Sequence, residues 1–185
     1  PREGTMAQSK LAKSHLDQRI AGVAAKTDHR TLVVWAADCA LRVLPYFEKK
    51  YPADRRPRAA IEGCRTWVRT GVFKLADVRR DALAAHAAAR ETKGDNAARS
   101  AARAAGQAMA AAHVARHAMA AAVYAATAIR DGTDPARADA AVAKERDWQL
   151  RHLAELRGPV DLDDLNLTSR PPLARGSFPK FPGWL

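Results

Sequence analysis

Between residues 97 and 130 the chain carries 18 alanines and not one acidic residue. Alanine is the strongest helix former, because it loses no rotamers on entering a helix and brings no polar group with it. A run of this length has to be helical, and its small side chains let neighbouring helix axes approach closely. Its overall apolarity invites a membrane reading, but Arg99, Arg103, Gln107, His113, Arg116 and His117 interrupt it. A single span would place several of these groups in hydrocarbon. The spacing therefore predicts one long water-soluble helix over residues 97–130, packed among others.

The flanking sequence supplies those others. Leu16, Ile20 and Val23 mark a first helix over about 11–25, which Thr27 and Asp28 interrupt. Leu32, Trp35, Ala36, Cys39, Val43, Leu44 and Phe47 recur at helical spacing over 31–49, a broad apolar face that must be covered. Pro52 turns the chain, and Asp54 or its successors start a third helix through Ile61, Cys64, Trp67 and Val68 to Gly71. A fourth, over 74–92, presents Leu75, Val78, Ala82, Ala85 and Ala89, and the sequence Lys93-Gly94-Asp95-Asn96 ends it. After the alanine-rich segment, Asp131-Gly132-Thr133-Asp134-Pro135 is a stop and a restart, with Thr133 or Asp134 as N-cap and Pro135 in the first turn of a helix running to about Arg157. No segment alternates as a strand would. The expected fold is all-α, a compact and mostly antiparallel bundle of about six helices.

At 185 residues this is one domain, assigned to 8–158, with a trailing extension over 159–185. Pro171, Pro172, Pro179 and Pro182 argue against helix there, while Phe178, Phe181 and Trp184 could anchor the extension in surface grooves. Residues 1–10 lack the basic, then apolar, then small-residue pattern of a secretory leader, and two cysteines cannot build a disulfide scaffold. The expected compartment is the cytoplasm, with no membrane association.

Charge is the next constraint. Thirty-one Lys and Arg against 20 Asp and Glu leave a formal net charge of +11. Arg42, Arg55, Arg56, Arg58, Arg79 and Arg80 could form a positive face suited to phosphate or carboxylate, and are the expected partner-binding residues. An acidic protein ranks ahead of nucleic acid, since no zinc finger, RNA-stacking motif or recognition-helix signature is present. Phosphate-loop and nucleophile-elbow motifs are also missing, so no catalytic residue and no cofactor is assigned.

His113 and His117 stand four residues apart, one turn on a continuous helix, and could face a common polar pocket. His86 could join them through tertiary packing, and Asp38, near Trp35, Cys39 and Arg42, could contribute a carboxylate that needs partners if enclosed. Asp38, His86, His113 and His117 are thus a candidate polar pocket for a small-molecule ligand. Their spacing would suit two metal ligands, but the Glu of a hydrolytic HExxH motif is lacking, and the metal assignment stays open. A packing role is the more usual use of such a histidine pair. Cys39 and Cys64 fall outside any CxxC or zinc framework and read as core thiols.

The block Val34-Trp35-Ala36-Ala37-Asp38-Cys39-Ala40-Leu41-Arg42-Val43-Leu44-Pro45-Tyr46-Phe47-Glu48, continued by Tyr51-Pro52-Ala53-Asp54-Arg55-Arg56-Pro57-Arg58 and Ala60-Ile61-Glu62, resembles the Imm-5-like immunity proteins. Ala84-Ala85-His86-Ala87-Ala88-Ala89-Arg90 and Ala111-Ala112-His113-Val114-Ala115-Arg116-His117-Ala118 extend the resemblance over residues 31–128 and toward the helix containing Trp148. The resemblance implies an all-helical intracellular protein that protects a producing bacterium from a polymorphic toxin. It supplies no residue-level chemistry. On this reading the protein binds and occludes a cognate toxin through the arginines or a bundle groove; the competing readings are a small-molecule-binding protein or enzyme using the His/Asp pocket, and a basic nucleic-acid-associated protein.

Overall fold

The computed structural model describes residues 11–158; the extension over 159–185, with its aromatic residues, lies outside them. Seven helices follow in order: α1 (Asp17–Ala24), α2 (His29–Glu48), α3 (Arg56–Thr70), α4 (Leu75–Glu91), α5 (Asn96–Ala111), α6 (His117–Asp131) and α7 (Pro135–Arg157). No strand occurs among the described residues.

The start and stop signals act where local chemistry places them. Asp28 caps α2 by accepting from the Thr31 amide at 3.0 Å, and Asp95 caps α5 through the Ala98 amide at 2.8 Å. Asp134, followed by Pro135 in the first turn, caps α7 through the Ala136 amide at 2.9 Å. Gly71 ends α3 with φ of 67°, a left-handed conformation that glycine adopts without a Cβ penalty. The first helix is shorter than its apolar spacing predicts. Asp17 holds the Ser14 amide at 3.1 Å, and the Ala12 amide donates to Thr127 Oγ1 at 3.0 Å, so the residues before α1 run against α6 instead of coiling.

The alanine-rich segment is two helices, not one. α5 stops at Ala111 and α6 starts at His117, and between them the chain turns through i→i−3 bonds such as His113 N–H to Ala110 O at 3.0 Å and His117 N–H to Val114 O at 3.0 Å. Neither glycine nor proline marks the break. A continuous helix of that length would run roughly 50 Å, longer than the rest of a small domain could cover. Folding it back lets α5 and α6 bury each other: Ala104, Ala105, Ala108 and Ala111 on one, and Ala118, Ala121, Ala122 and Ala125 on the other, have no exposed surface. α5 is the central helix and packs on α2, α3, α4 and α6, while α7 closes the far side against α1, α2 and α6.

The apolar face expected on α2 is the heart of the core, with Trp35, Cys39, Val43 and Leu44 fully enclosed. Against this face α7 buries three polar side chains, Glu145, Arg146 and Gln149. They survive burial because each is hydrogen-bonded. Arg42 donates Nε and Nη2 to Glu145 Oε2 at 3.1 and 3.0 Å, and Gln149 Nε2 donates to Glu145 Oε1 at 3.0 Å and to Ala122 O at 3.1 Å. Arg146 gives Nη1 to Gln149 Oε1 at 2.6 Å, and Nε and Nη2 to Asp17 Oδ1 at 3.0 and 2.6 Å. The Trp35 indole N–H donates to Gln149 O at 2.9 Å. One chain of hydrogen bonds thus ties α1, α2, α6 and α7 together.

Candidate functional site

A cavity of about 370 Å³ opens between α4, the second half of α5 and the turn that precedes α6. Arg79, Ala82, Leu83, His86 and Arg90 of α4 recur at spacings of three and four, which puts them on one helix face toward the cavity. α5 adds Gln107 and Ala110, one turn apart, and the break after α5 brings in His113, Val114, Arg116 and His117. Were residues 97–130 one straight helix, this wall would not exist.

His86 is buried, 7% exposed, and its Nδ1 has no hydrogen-bond partner. Burial, aided by the charges of Arg103, Arg90 and His117, pushes its pKa down to about 4, so the ring is neutral at physiological pH. The ring rests directly on α5 at Gly106, where an added Cβ would come within 2.7 Å of it. Glycine at this position is what admits the imidazole. The Nδ1 of His117 donates to Gln107 Oε1 at 2.7 Å; burial, then Arg116 and His113, hold its pKa below the ordinary histidine value. In the neutral ring that bond leaves Nε2 as an acceptor. His113 is exposed and stacks on Phe73, ring centroids 5.9 Å apart.

The structure therefore brings His86, His113 and His117 around one cavity, but not through the shared helical turn their spacing suggests. His113 sits in the turn and His117 opens α6. Asp38 is elsewhere. It accepts from His152 Nε2 at 2.9 Å and Arg65 Nη2 at 3.3 Å, beside a smaller hollow of about 170 Å³ lined by Val34, Ala37 and Val68. Among the described residues, no group of three or more His, Cys, Asp or Glu is placed to hold a metal ion.

The six arginines expected to bind a partner divide in the same way. Arg42 is held by Glu145 and lies 3.8 Å from the centre of the Trp148 ring. Arg56 pairs with Asp54 and Glu91, Arg58 with Glu48, and Arg80 with Asp77 and Asp81. Arg55 reaches Glu62 only at 3.9 Å, with both side chains largely in solvent. Arg79 alone of the six lines the cavity. Sequence reasoning missed Arg90, Gln107 and Arg116 as cavity residues; the i, i+4 spacing of His86 and Arg90 was the available signal for the first, and nothing local announced the others.

These features define an all-α protein with a cationic cavity on one flank, in which no described helix is long and apolar enough to cross a membrane. The family model described as "Imm-5 like putative immunity protein" matches residues 22–156, and the chain belongs to that family. No curated protein and no solved structure matches it.

Proposed function

We propose that this protein neutralises a toxin by binding it and covering a surface the toxin needs. Family membership supports the class of activity. The observation that carries the binding reading is exposed apolar surface near the cavity: of the four large hydrophobic side chains exposed among the described residues, Val72 and Phe73 lie in the α3–α4 connection, where Phe73 stacks on the cavity residue His113, and Leu83 lines the cavity itself. Arg79 stands beside them. An aromatic and an arginine framed by apolar surface is the composition of a binding hot spot. Arg55, only loosely engaged, and the net charge of +11 favour an acidic partner and fast encounter at low salt. The paired state of Arg42, Arg56, Arg58 and Arg80 leaves less free positive charge for a nucleic-acid backbone, which ranks that reading lower. The two free cysteines, both buried, suit a reducing compartment such as the cytoplasm.

The test is binding and protection with the toxin encoded beside this protein's gene. Phe73→Ser with Leu83→Ser should weaken the complex by at least about a hundredfold, the scale of two anchor residues, while thermal stability stays near the parent's because both side chains face solvent. No complex with the adjacent toxin, or an affinity indifferent to these two changes, would overturn the proposal.

A further inference from the structure

Arg42, Arg56, Arg58, Arg65, Arg80 and Arg146 sit in ion pairs with carboxylates of this chain, whereas Arg19, Arg69, Arg103 and Arg137 make none among the described residues. The cavity gathers three further unpaired arginines around one opening. Arg79, Arg90 and Arg116 are exposed at its rim, none makes a hydrogen bond or ion pair within the described residues, and no carboxylate lines the space. Three like charges gathered around one opening repel each other, and a bound anion would relieve that repulsion. The rest of the lining differs in character. Val78, Ala82 and Val114 are apolar, and buried His86 and half-buried His117 are neutral rings with hydrogen-bonding nitrogens. The volume of about 370 Å³ is that of a site for a small organic molecule rather than for a bare ion.

We propose that the cavity binds a small organic anion, a carboxylate or phosphate ester on an apolar body, with its charge among Arg79, Arg90 and Arg116 and its body against Val78, Ala82 and Val114. Rim and interior divide the recognition. Guanidinium groups match the planar or tetrahedral oxygens of such an anion, while His117 Nε2 offers an acceptor to a hydroxyl or amine on the body. This inference does not depend on toxin binding, since it concerns the cavity in the isolated protein.

The experiment is calorimetric titration of the full chain with phenyl phosphate and with benzoate, followed in parallel by the histidine ring signals in NMR. Inorganic phosphate and phenol serve as comparison probes. At least one of the two organic anions should saturate a single site, move the His86 and His117 signals, and bind about tenfold or more tighter than inorganic phosphate or phenol. Arg79→Gln with Arg116→Gln should weaken it by about a hundredfold, one order of magnitude for each lost charge-assisted contact; both side chains are exposed, and circular dichroism checks that the fold is kept. Failure of both organic anions to saturate, equal affinity for inorganic phosphate or phenol, or unchanged affinity in the double variant would each refute the site. Because no toxin is present, such a failure leaves the neutralisation proposal standing, and the reverse also holds.

Discussion

Replacing Arg146 by methionine tests whether the buried polar network holds the bundle together. Methionine keeps much of the length and the helix propensity of arginine, so the change acts mainly on charge and hydrogen bonding. The guanidinium side chain is 2% exposed and donates three hydrogen bonds, two to Asp17 and one to Gln149. Arg42 and Arg146 balance Glu145 and Asp17 in this network, so the variant leaves one negative charge in excess and an orphaned Gln149 oxygen. Removing one partner of a buried pair costs about 3–5 kcal/mol, and the 27% exposure of Asp17 places the loss here at the lower end, about 3 kcal/mol. For a domain of this size each kcal/mol is about 2–4 °C in Tm, so thermal unfolding should fall by roughly 10 °C. Asp17→Asn alone should also destabilise, since it weakens the acceptor of a buried cation. The double variant should lose less than the sum by about 1–3 kcal/mol, the coupling expected of residues in one network. Urea unfolding of the four proteins measures this cycle. A Tm for Arg146→Met within a degree or two of the parent, or strict additivity in the double variant, would show that the network is not a source of stability.

Gly106→Ala should destabilise by about 1–3 kcal/mol, because the new methyl meets the His86 ring and one of them must move; combining it with His86→Ala should recover most of that loss in a urea melt. His86 should also make stability depend on pH. Its folded pKa of about 4 lies below the ordinary 6.5, so the unfolded chain binds more protons between those values. The contribution is intact above pH 6.5 and declines by roughly 3 kcal/mol as the pH falls through 4, and comparing urea midpoints of the parent and His86→Gln across pH 4–8 isolates it. Burial pushes the Cys64 thiol up to about 12 and Cys39 well above its usual range; at pH 8 a thiol-specific reagent should label the folded protein at least about a thousandfold more slowly than the unfolded chain, since only the thiolate reacts.

What the sequence revealed of the fold was what local chemistry decides. Asp28, Asp95 and Asp134 cap helices, Gly71 stops one, and the apolar face of α2 is the core face its spacing indicates. The α5–α6 break was hidden because residues 112–116 are as helix-compatible as their neighbours; what breaks the helix is the advantage of packing its two halves together, a tertiary effect without a local mark. Glu145, Arg146 and Gln149 were hidden for a related reason. On a helix surface they would be ordinary polar residues, and only the arrival of Arg42, Asp17 and the Ala122 carbonyl makes them interior. At the cavity, residue type identified the histidines, but Asp38 was grouped with them on chemistry alone, and topology gives it to His152 and Arg65.

The alanine seam between α5 and α6 also bears on how the chain reaches this state. Closing most helix interfaces freezes leucine or isoleucine rotamers, an entropic cost that alanine does not incur. The two helices are joined by a short turn and meet through methyl groups, so their docking is a local event with little side-chain ordering to complete. This hairpin should form early and open last. Its central amides, at Ala104, Ala105, Ala121 and Ala122, are then expected among the slowest in the molecule to exchange with deuterated solvent, with α1 opening well before them.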